Sequence, residues 1–307
     1  MNPTNRFDAP VRLIEVAEGV FAYVQLDGGW CLSNAGVVID RGEVALIDTA
    51  ATERRARLLR AAVTALAGRG PQLLVNTHFH GDHTFGNVVF VPEAVVVAHE
   101  AAREEMVAAG LGLQKLWPDV RWGNVSVCPP AVTYRDRMTL HVGDLRLELL
   151  HPGPAHTVTD TVVWIPQRSV LFTGDIVMSG VTPFCLMGSI EGSLRTIDRL
   201  RRLRPETVVT GHGPVGGPEV FDVAEEYLRW VQRLARKGLS AGLTPLETAR
   251  QADLGQFTRL IDAERLLPNL HRAYAELQGA SPGAELDVLA SFNEMVEFLG
   301  RLPSCHA

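Results

Sequence analysis

A histidine-rich turn placed directly behind a buried strand is the feature that most constrains this chain. The stretch VNTHFHGDHTFGN, residues 75–87, begins at the end of a continuous apolar run. It places His78, His80, Asp82 and His83 within six positions. Such an apolar run is typical of a strand covered on both faces. Imidazole nitrogens and carboxylate oxygens bind zinc and similar divalent ions. In an extended turn His78 and His80 share a side. The pattern therefore predicts one ion on that pair and a second on Asp82 and His83.

Short runs rich in branched and aromatic residues alternate with helical segments before residue 219. The predicted strands are 20–26, 32–40, 43–50, 72–76, 94–99, 139–142, 145–151, 160–166, 169–175 and 207–213. The predicted helices are 52–68, with Thr52 as N-cap, 100–109 and 193–203.

From about residue 219 the strand signals end and the remaining pattern is helical. Breaks are expected at Gly238, Pro245, Gly255, Pro268 and 279–283. We therefore predict a mixed α/β catalytic domain over residues 1–218 and a helical C-terminal extension over residues 219–307.

Composition excludes several classes of protein. The 307 residues are 46% hydrophobic and carry a net charge of −6, which argues against nucleic acid as the main partner. No run of about 18 apolar residues exists, so no membrane span is expected. The polar N-terminus lacks the apolar core of a secretory signal. The dispersed Cys31, Cys128, Cys185 and Cys305 are read as reduced thiols, which predicts a cytoplasmic protein.

Three more ligand-type residues follow predicted strands farther along the chain: His156 in GPAHT, Asp175 in TGD and His212 in GHG. Together with HFHGDH, and in this order, these motifs resemble those of the metallo-β-lactamase superfamily over residues 15–218. The resemblance implies an αββα sandwich with a binuclear metal site at one edge of two packed sheets.

The resemblance also implies a ligand set. One ion would be held by His78, His80 and His156, the other by Asp82, His83 and His212, with Asp175 bridging the two. Asp48 would orient the metal-binding loop. Zinc is expected, with manganese and iron also compatible with such ligands.

Two outcomes of the chemistry stay open. A pair of divalent ions activates water and polarises a carbonyl oxygen, which suits hydrolysis of an ester, thioester, lactone or amide. The same site would also stabilise the enolate of a β-dicarbonyl unit and so support carbon–carbon bond formation. Asp82 or Asp175 is the candidate for moving a proton to the leaving group.

Apolar and aromatic segments are the candidates for substrate contact, because ligand pockets are mostly apolar. The candidates are Trp30, Trp117, Trp122, Phe184 and Met187. Packing in the core is an equally good explanation for each tryptophan. His99 and His151 are candidates for supporting the metal ligands.

Features along nearly the whole chain, including DGGWCLSNAG, DIVMSGVTPF and the tail LTPLETARQADLG, resemble the cyclase/thioesterases of aromatic type II polyketide biosynthesis in actinomycetes. That resemblance implies late-ring aldol cyclisation and thioester hydrolysis of a poly-β-ketone carried by an acyl carrier protein. Carrier proteins are generally acidic, so the arginine-rich segment 199–204 is a candidate docking face, although a solvated helix face is the favoured explanation of this segment.

Two other functions remain as alternatives. The first alternative is a generic metallo-hydrolase of lactones, β-lactams or small thioesters. The second is a metal-stabilised binding subunit that uses its tail for interaction. The tail is expected either to form a homodimer or to cover the active site.

Overall fold

Two β-sheets form the centre of the molecule in the computed structural model, which describes residues 11–91 and 93–307. The first sheet has seven strands that lie side by side in chain order. Its first four strands pair antiparallel and the remaining three add in parallel. The strands are β1 (Val11–Ala17), β2 (Val20–Gln25), β3 (Ala35–Asp40), β4 (Glu43–Ile47), β5 (Leu73–Val75), β6 (Val95–His99) and β7 (Val132–Tyr134).

The second sheet has five strands in the order β12-β11-β10-β9-β8. Its strands are β8 (Arg137–Val142), β9 (Leu145–Leu150), β10 (Val162–Ile165), β11 (Val170–Phe172) and β12 (Thr207–Val209). Only the edge strand β12 pairs in parallel, with β11. Because these two strands are parallel, their C-terminal ends lie at the same edge of the sheet. Asp175 follows the end of β11, and His212 follows the end of β12. Sheet topology therefore brings two distant metal-ligand candidates to one edge.

Helices cover the outer faces of both sheets, and the predicted αββα sandwich is confirmed. The helices are α1 (Glu53–Ala67), α2 (Gly81–Thr84), α3 (Glu100–Ala109), α4 (Ile190–Arg202), α5 (Val220–Ser240), α6 (Pro245–Arg250), α7 (Leu266–Leu277) and α8 (Val288–Leu299). Thr52 caps α1 as predicted, because its hydroxyl accepts from the Arg55 amide.

The sandwich is held together by side chains that alternate along the strands. In β9, Leu145, Leu147 and Leu149 point inward and are buried, while Arg146 between them is exposed. These leucines meet valines and alanines of β2, β3 and β4 in one cluster between the sheets. Burial of this apolar surface is the main stabilising contribution to the sandwich.

The tail packs on the outer side of the second sheet. Tail helices α5 and α7 share one hydrophobic cluster with α4 and with Trp117 of the 111–125 loop. The tail and the body therefore have a common core, and the division at residue 218 stays a prediction. The first tail helix begins at Val220.

Several local predictions were wrong. The pattern did not reveal β1 or β7, and α5 runs through Gly238 without a break. A glycine is required at position 238 because a Cβ would collide with Tyr274 and Thr248 of the neighbouring helices. Pro268 lies in the first turn of α7, where its missing amide hydrogen costs no helical hydrogen bond.

Within the part of the chain that the structure describes, no helix is both long and apolar enough to cross a membrane. The polar N-terminal stretch, on which the prediction of no secretory signal depends, lies outside the described residues.

Candidate metal centre

The first ligand histidine, His78, directly follows the two-residue link after β5, and hydrogen bonds from amide side chains hold the turn in place. Asn76 donates to the His83 carbonyl at 3.2 Å, and Asn87 donates to the Asn76 side-chain oxygen at 2.8 Å. Both asparagines are fully buried. These bonds fold the chain back on itself, so that His78 and His80 precede the short helix α2 and Asp82 lies within it.

Three imidazole nitrogens meet at the first group of ligand candidates. His80 Nδ1 lies 3.1 Å from His78 Nε2 and 3.0 Å from His156 Nε2. Ligand atoms of a tetrahedral ion with bonds of 2.0–2.1 Å are about 3.3 Å apart, so this spacing suits such an ion. The Asp175 carboxylate completes the group, with Oδ2 lying 3.5 Å from His156 Nε2.

A second group lies beside the first and shares Asp175 with it. His212 Nε2 is 3.3 Å from Asp82 Oδ2, and His83 completes the group. Asp175 reaches both members with its two oxygens: Oδ1 is 3.1 Å from His83 Nε2 and Oδ2 is 3.3 Å from His212 Nε2. All seven residues of the predicted ligand set therefore converge, with Asp175 between the two groups.

Hydrogen bonds to the far side of the rings fix the orientation of three of these histidines. His156 Nδ1 lies 2.5 Å from the Phe184 carbonyl, and His212 Nδ1 lies 2.9 Å from the Gly28 carbonyl. His83 Nδ1 lies 2.9 Å from Asp48 Oδ2. An acceptor at Nδ1 keeps a ring proton on that nitrogen, so Nε2 is the nitrogen that would bind a metal.

Asp48 therefore lies behind the ligands, in agreement with the role that the resemblance implies. Besides His83, its carboxylate accepts from the amide and the hydroxyl of Thr77, each at 2.7 Å. Thr77 directly precedes the first ligand histidine, so one buried carboxylate links both ends of the turn.

Buried polar atoms without another partner indicate whether a cation fits this site. Among the described residues, His83 Nε2 and Asp175 Oδ1 are buried without a partner in hydrogen-bond geometry, although they face each other. Such atoms cost free energy unless a ligand satisfies them. Burial also lowers the pKa of His80 to about 3, so its imidazole is neutral at pH 7 and its lone pair is available. The donors therefore fit divalent cations.

Charge is concentrated on the second group. Burial disfavours every charged form there, but the nearby carboxylates, Asp175 first, outweigh it and raise the pKa of His212 to about 9. Burial likewise opposes ionisation of Asp82, yet His83 and His212 hold the pKa of this carboxyl well below its usual range. The group is thus an ion-pair cluster whose carboxylates are ionised at neutral pH.

Both groups open into one pocket whose non-atom space, including its mouth, is about 640 Å³. The ligands His80, Asp82, His156, Asp175 and His212 lie at its base. Its walls are mostly apolar and come from five segments of the chain: Trp30, Cys31, Leu113, Leu116, Trp117, Met178, Phe184, Leu186, Met187, Arg265, Pro268, Val288 and Phe292.

Four of the five predicted substrate contacts lie in this wall, and Trp122 does not. The Trp122 ring packs against Phe85, with centroids 6.0 Å apart, and its indole donates to the Trp117 carbonyl. Trp122 therefore buttresses the loop that carries Trp117.

The tail also contributes to the wall, which the sequence did not reveal. Arg265, Pro268, Val288 and Phe292 all come from the predicted helical extension. The tail thus supplies part of the wall beside the ligand groups, and its role in a homodimer stays a prediction. Periodicity gives the buried face of a helix, but it does not say which distant element that face meets.

His99 and His151 lie away from both ligand groups. Their rings stack with centroids 3.9 Å apart, and His151 Nδ1 lies 2.7 Å from the Asp160 carbonyl. Asp160 in turn accepts from the amide and hydroxyl of Thr157, next to His156. Their connection to the metal ligands is thus indirect.

Comparison with known proteins identifies the family. The family model described as the metallo-beta-lactamase superfamily matches residues 28–212. This chain belongs to that superfamily, whose members are metal-dependent hydrolases.

A metallo-beta-lactamase type 2 from Bacteroides fragilis is 23% identical over 69% of this chain and 83% of that protein. The human acyl-coenzyme A thioesterase MBLAC2 is 28% identical over 53% of this chain and 63% of that protein. The solved structure of a metallo-beta-lactamase from Pontibacter korlensis superposes with a TM-score of 0.59 at 21% identity, covering 72% of this chain and 99% of that one. This last likeness concerns the fold alone.

Proposed function

We propose that this protein is a binuclear, zinc-dependent cyclase/thioesterase that acts on a poly-β-ketone bound to an acyl carrier protein. One observation carries the proposal: both ligand groups, through five of their seven residues, open into an apolar, aromatic-walled pocket to which the C-terminal tail contributes. Such walls suit a flat, oily acyl chain. The residues that the tail gives to this wall lie beyond residue 212, where the superfamily match ends.

Bound divalent ions would supply water activation at neutral pH and Lewis-acid polarisation of the thioester carbonyl. The chain's own residues would manage the protons. Asp82 is the more exposed of the two candidate carboxylates, with 12% of its side chain accessible against 4% for Asp175. Because its pKa is held low, Asp82 is ionised at rest. We therefore assign it to accept a proton from the attacking water and to pass that proton to the leaving thiolate.

The apolar walls support cyclisation as well as hydrolysis. Trp30 and Phe184 stand edge to face with ring centroids 5.6 Å apart, and Trp30 and Trp117 lie 5.4 Å apart. A folded polyketone pressed against these rings would be shielded from water, which favours attack by its own carbon over hydrolysis. The enolisable unit would lie at the ligand groups.

A second candidate function is hydrolysis of lactones, β-lactams or small thioesters without cyclisation. The similarity to metallo-beta-lactamases favours it, whereas the similarity to a thioesterase is compatible with both functions. Products separate the two. Mass spectrometry of zinc-loaded protein incubated with a carrier-bound polyketone should show an aromatic bicyclic product that disappears with chelator. Release of the linear acid alone would favour the second candidate.

Docking of the carrier protein to the arginine-rich segment remains part of the proposal, and the structure refines its test. Arg201 is already paired with Asp222 at 2.6 Å and with Glu225. Arg202 beside it is exposed. Charge reversal by Arg202→Glu should therefore slow turnover of carrier-bound substrate more than that of a small thioester. An equal effect on both substrates would exclude docking at this residue.

A further inference from the structure

Arg265 is a buried arginine in the wall of the pocket. It belongs to neither ligand group, so metal binding does not explain its position. Its side chain is 2% exposed and belongs to the turn that leads into α7. It contacts the segment that carries the ligand candidate Asp175 and the ring of Trp30. Nη1 donates to the Met178 sulfur at 3.0 Å, three residues after Asp175, and the guanidinium stacks 4.1 Å from the ring centroid of Trp30.

Neighbouring groups hold the guanidinium in one orientation. Nη1 donates to the Thr182 carbonyl at 3.2 Å, and Nη2 donates to Asp262 at 2.8 Å. The indole of Trp30 is itself fixed by a 2.8 Å bond to Glu264. Stacking on a fixed ring and two anchored nitrogens leave the plane of the guanidinium little freedom.

Not every N–H donor of Arg265 has an acceptor among the described residues. A guanidinium has five N–H bonds, and its acceptors within residues 11–91 and 93–307 are Met178, Thr182 and Asp262. Nε is buried without any partner there. Nε and Nη2 form one edge of the group. Nη2 already donates to Asp262, whereas the Nε–H of that edge has no acceptor.

Arg272 provides a contrast within the same helical tail. It is fully buried and also has a nitrogen without a partner, but it does not line the pocket. Its Nε and Nη2 donate to the Leu186 carbonyl, which explains it as a structural tie. Arg265 differs because its unpaired Nε–H belongs to a side chain in the wall of a ligand-sized cavity.

We propose that Arg265 forms an oxygen-recognition subsite that binds carbonyl, enolate or carboxylate oxygens on the acyl part of the substrate. This inference rests on the proposed function, because it assumes an acyl substrate with oxygens beyond the reacting carbonyl. A hydrogen bond from a guanidinium is strong where the surroundings are apolar. The subsite would therefore select oxygenated acyl chains over saturated ones of the same length.

The test compares two thioesters of N-acetylcysteamine, one with a 3-oxooctanoyl chain and one with an octanoyl chain. The measured quantity is the ratio of kcat/KM for the oxo substrate to kcat/KM for the saturated one, with zinc-loaded protein. Arg265→Met should lower this ratio about 10- to 100-fold, since a charged donor to the oxo group is lost. Arg265→Lys keeps the charge but lacks the Nε donor, and it should give an intermediate loss.

Arg272→Lys is the control matched for burial, and it should leave the ratio within about twofold of the wild-type value even if overall activity falls. An unchanged ratio in folded Arg265→Met protein would overturn the subsite. If Arg265→Met does not fold, the ratio for Arg265→Lys decides in the same way.

A binding measurement separates failure of the subsite from failure of the proposed function. If wild-type protein hydrolyses neither thioester, the thioesterase proposal fails. Calorimetry with 3-oxooctanoate and octanoate then tests the subsite directly. Preference for the oxo acid that is lost in Arg265→Met supports it, and absence of any preference in the wild type refutes it.

Discussion

Asp48 holds the candidate metal-binding turn in place through its carboxylate. Removing this carboxylate should have a clear effect on zinc affinity. Asp48 is 2% exposed and accepts three hydrogen bonds, two from Thr77 and one from His83 Nδ1. Asp48→Asn keeps the size of the side chain but has only one acceptor oxygen. Whichever way the amide is turned, an N–H group faces either the Thr77 amide or the His83 ring.

The magnitude follows from the lost bond to His83. A hydrogen bond to a charged group contributes about 1.5–3 kcal/mol, which corresponds to about 10- to 150-fold in an equilibrium constant. Without the carboxylate, the proton of His83 is no longer held on Nδ1, and its Nε2 lone pair is less available. We therefore expect the affinity for one of two zinc ions to fall by this factor, while the His78–His80–His156 group is affected much less.

Competition with a chromophoric zinc chelator at neutral pH measures both affinities. Asp40→Asn is the matched control, because Asp40 accepts from the Asp144 amide and lies outside both ligand groups. It should bind zinc like the wild type. Two wild-type zinc affinities in Asp48→Asn would refute the assignment of Asp48 as the support of His83.

Further predictions concern packing and pH. Gly238→Ala should lower the free energy of unfolding by about 1–3 kcal/mol, because the new methyl group collides with Tyr274 and Thr248, whereas Gly112→Ala, with open space around it, should change it by less than about 0.5 kcal/mol. Denaturant titration measures both, and equal effects would contradict the packing explanation. Asp160 is buried, and burial raises its pKa to about 7. A carboxyl group with a raised pKa binds its proton more tightly in the folded state, so its contribution to stability is present at pH 4 and is lost as pH rises towards 7. Metal-free Asp160→Asn should therefore gain stability relative to the wild type over this range, by at most about 1.4 kcal/mol per pH unit. A constant difference between the two proteins from pH 4 to 8 would show that Asp160 does not titrate there.

The metal ligands were predictable because their signal is local. Four of them lie in one turn behind β5, and Asp175 and His212 follow shortly after β11 and β12. The turn itself indicated a metal, whereas the full set of seven ligands was implied by the resemblance to the metallo-β-lactamase superfamily; the structure brings all seven side chains together.

The wall of the pocket was only partly predictable because it depends on distant packing. Arg265 is buried through contacts with Thr182 and Trp30, and no pattern near residue 265 indicates those neighbours. Strand β1 was missed for another reason: five of its seven residues are exposed, so its sequence lacks the alternation of a half-buried strand.

Titration of metal-free protein with zinc, while hydrolysis of an acyl thioester is followed, tests the two-metal account most directly. Asp175 lies between two ligand groups, so we predict that the rate rises until two equivalents of zinc are bound per chain. Asp175→Asn should lose both the second equivalent and the activity. A full rate at one equivalent, or no hydrolysis with zinc, manganese or iron, would contradict the account.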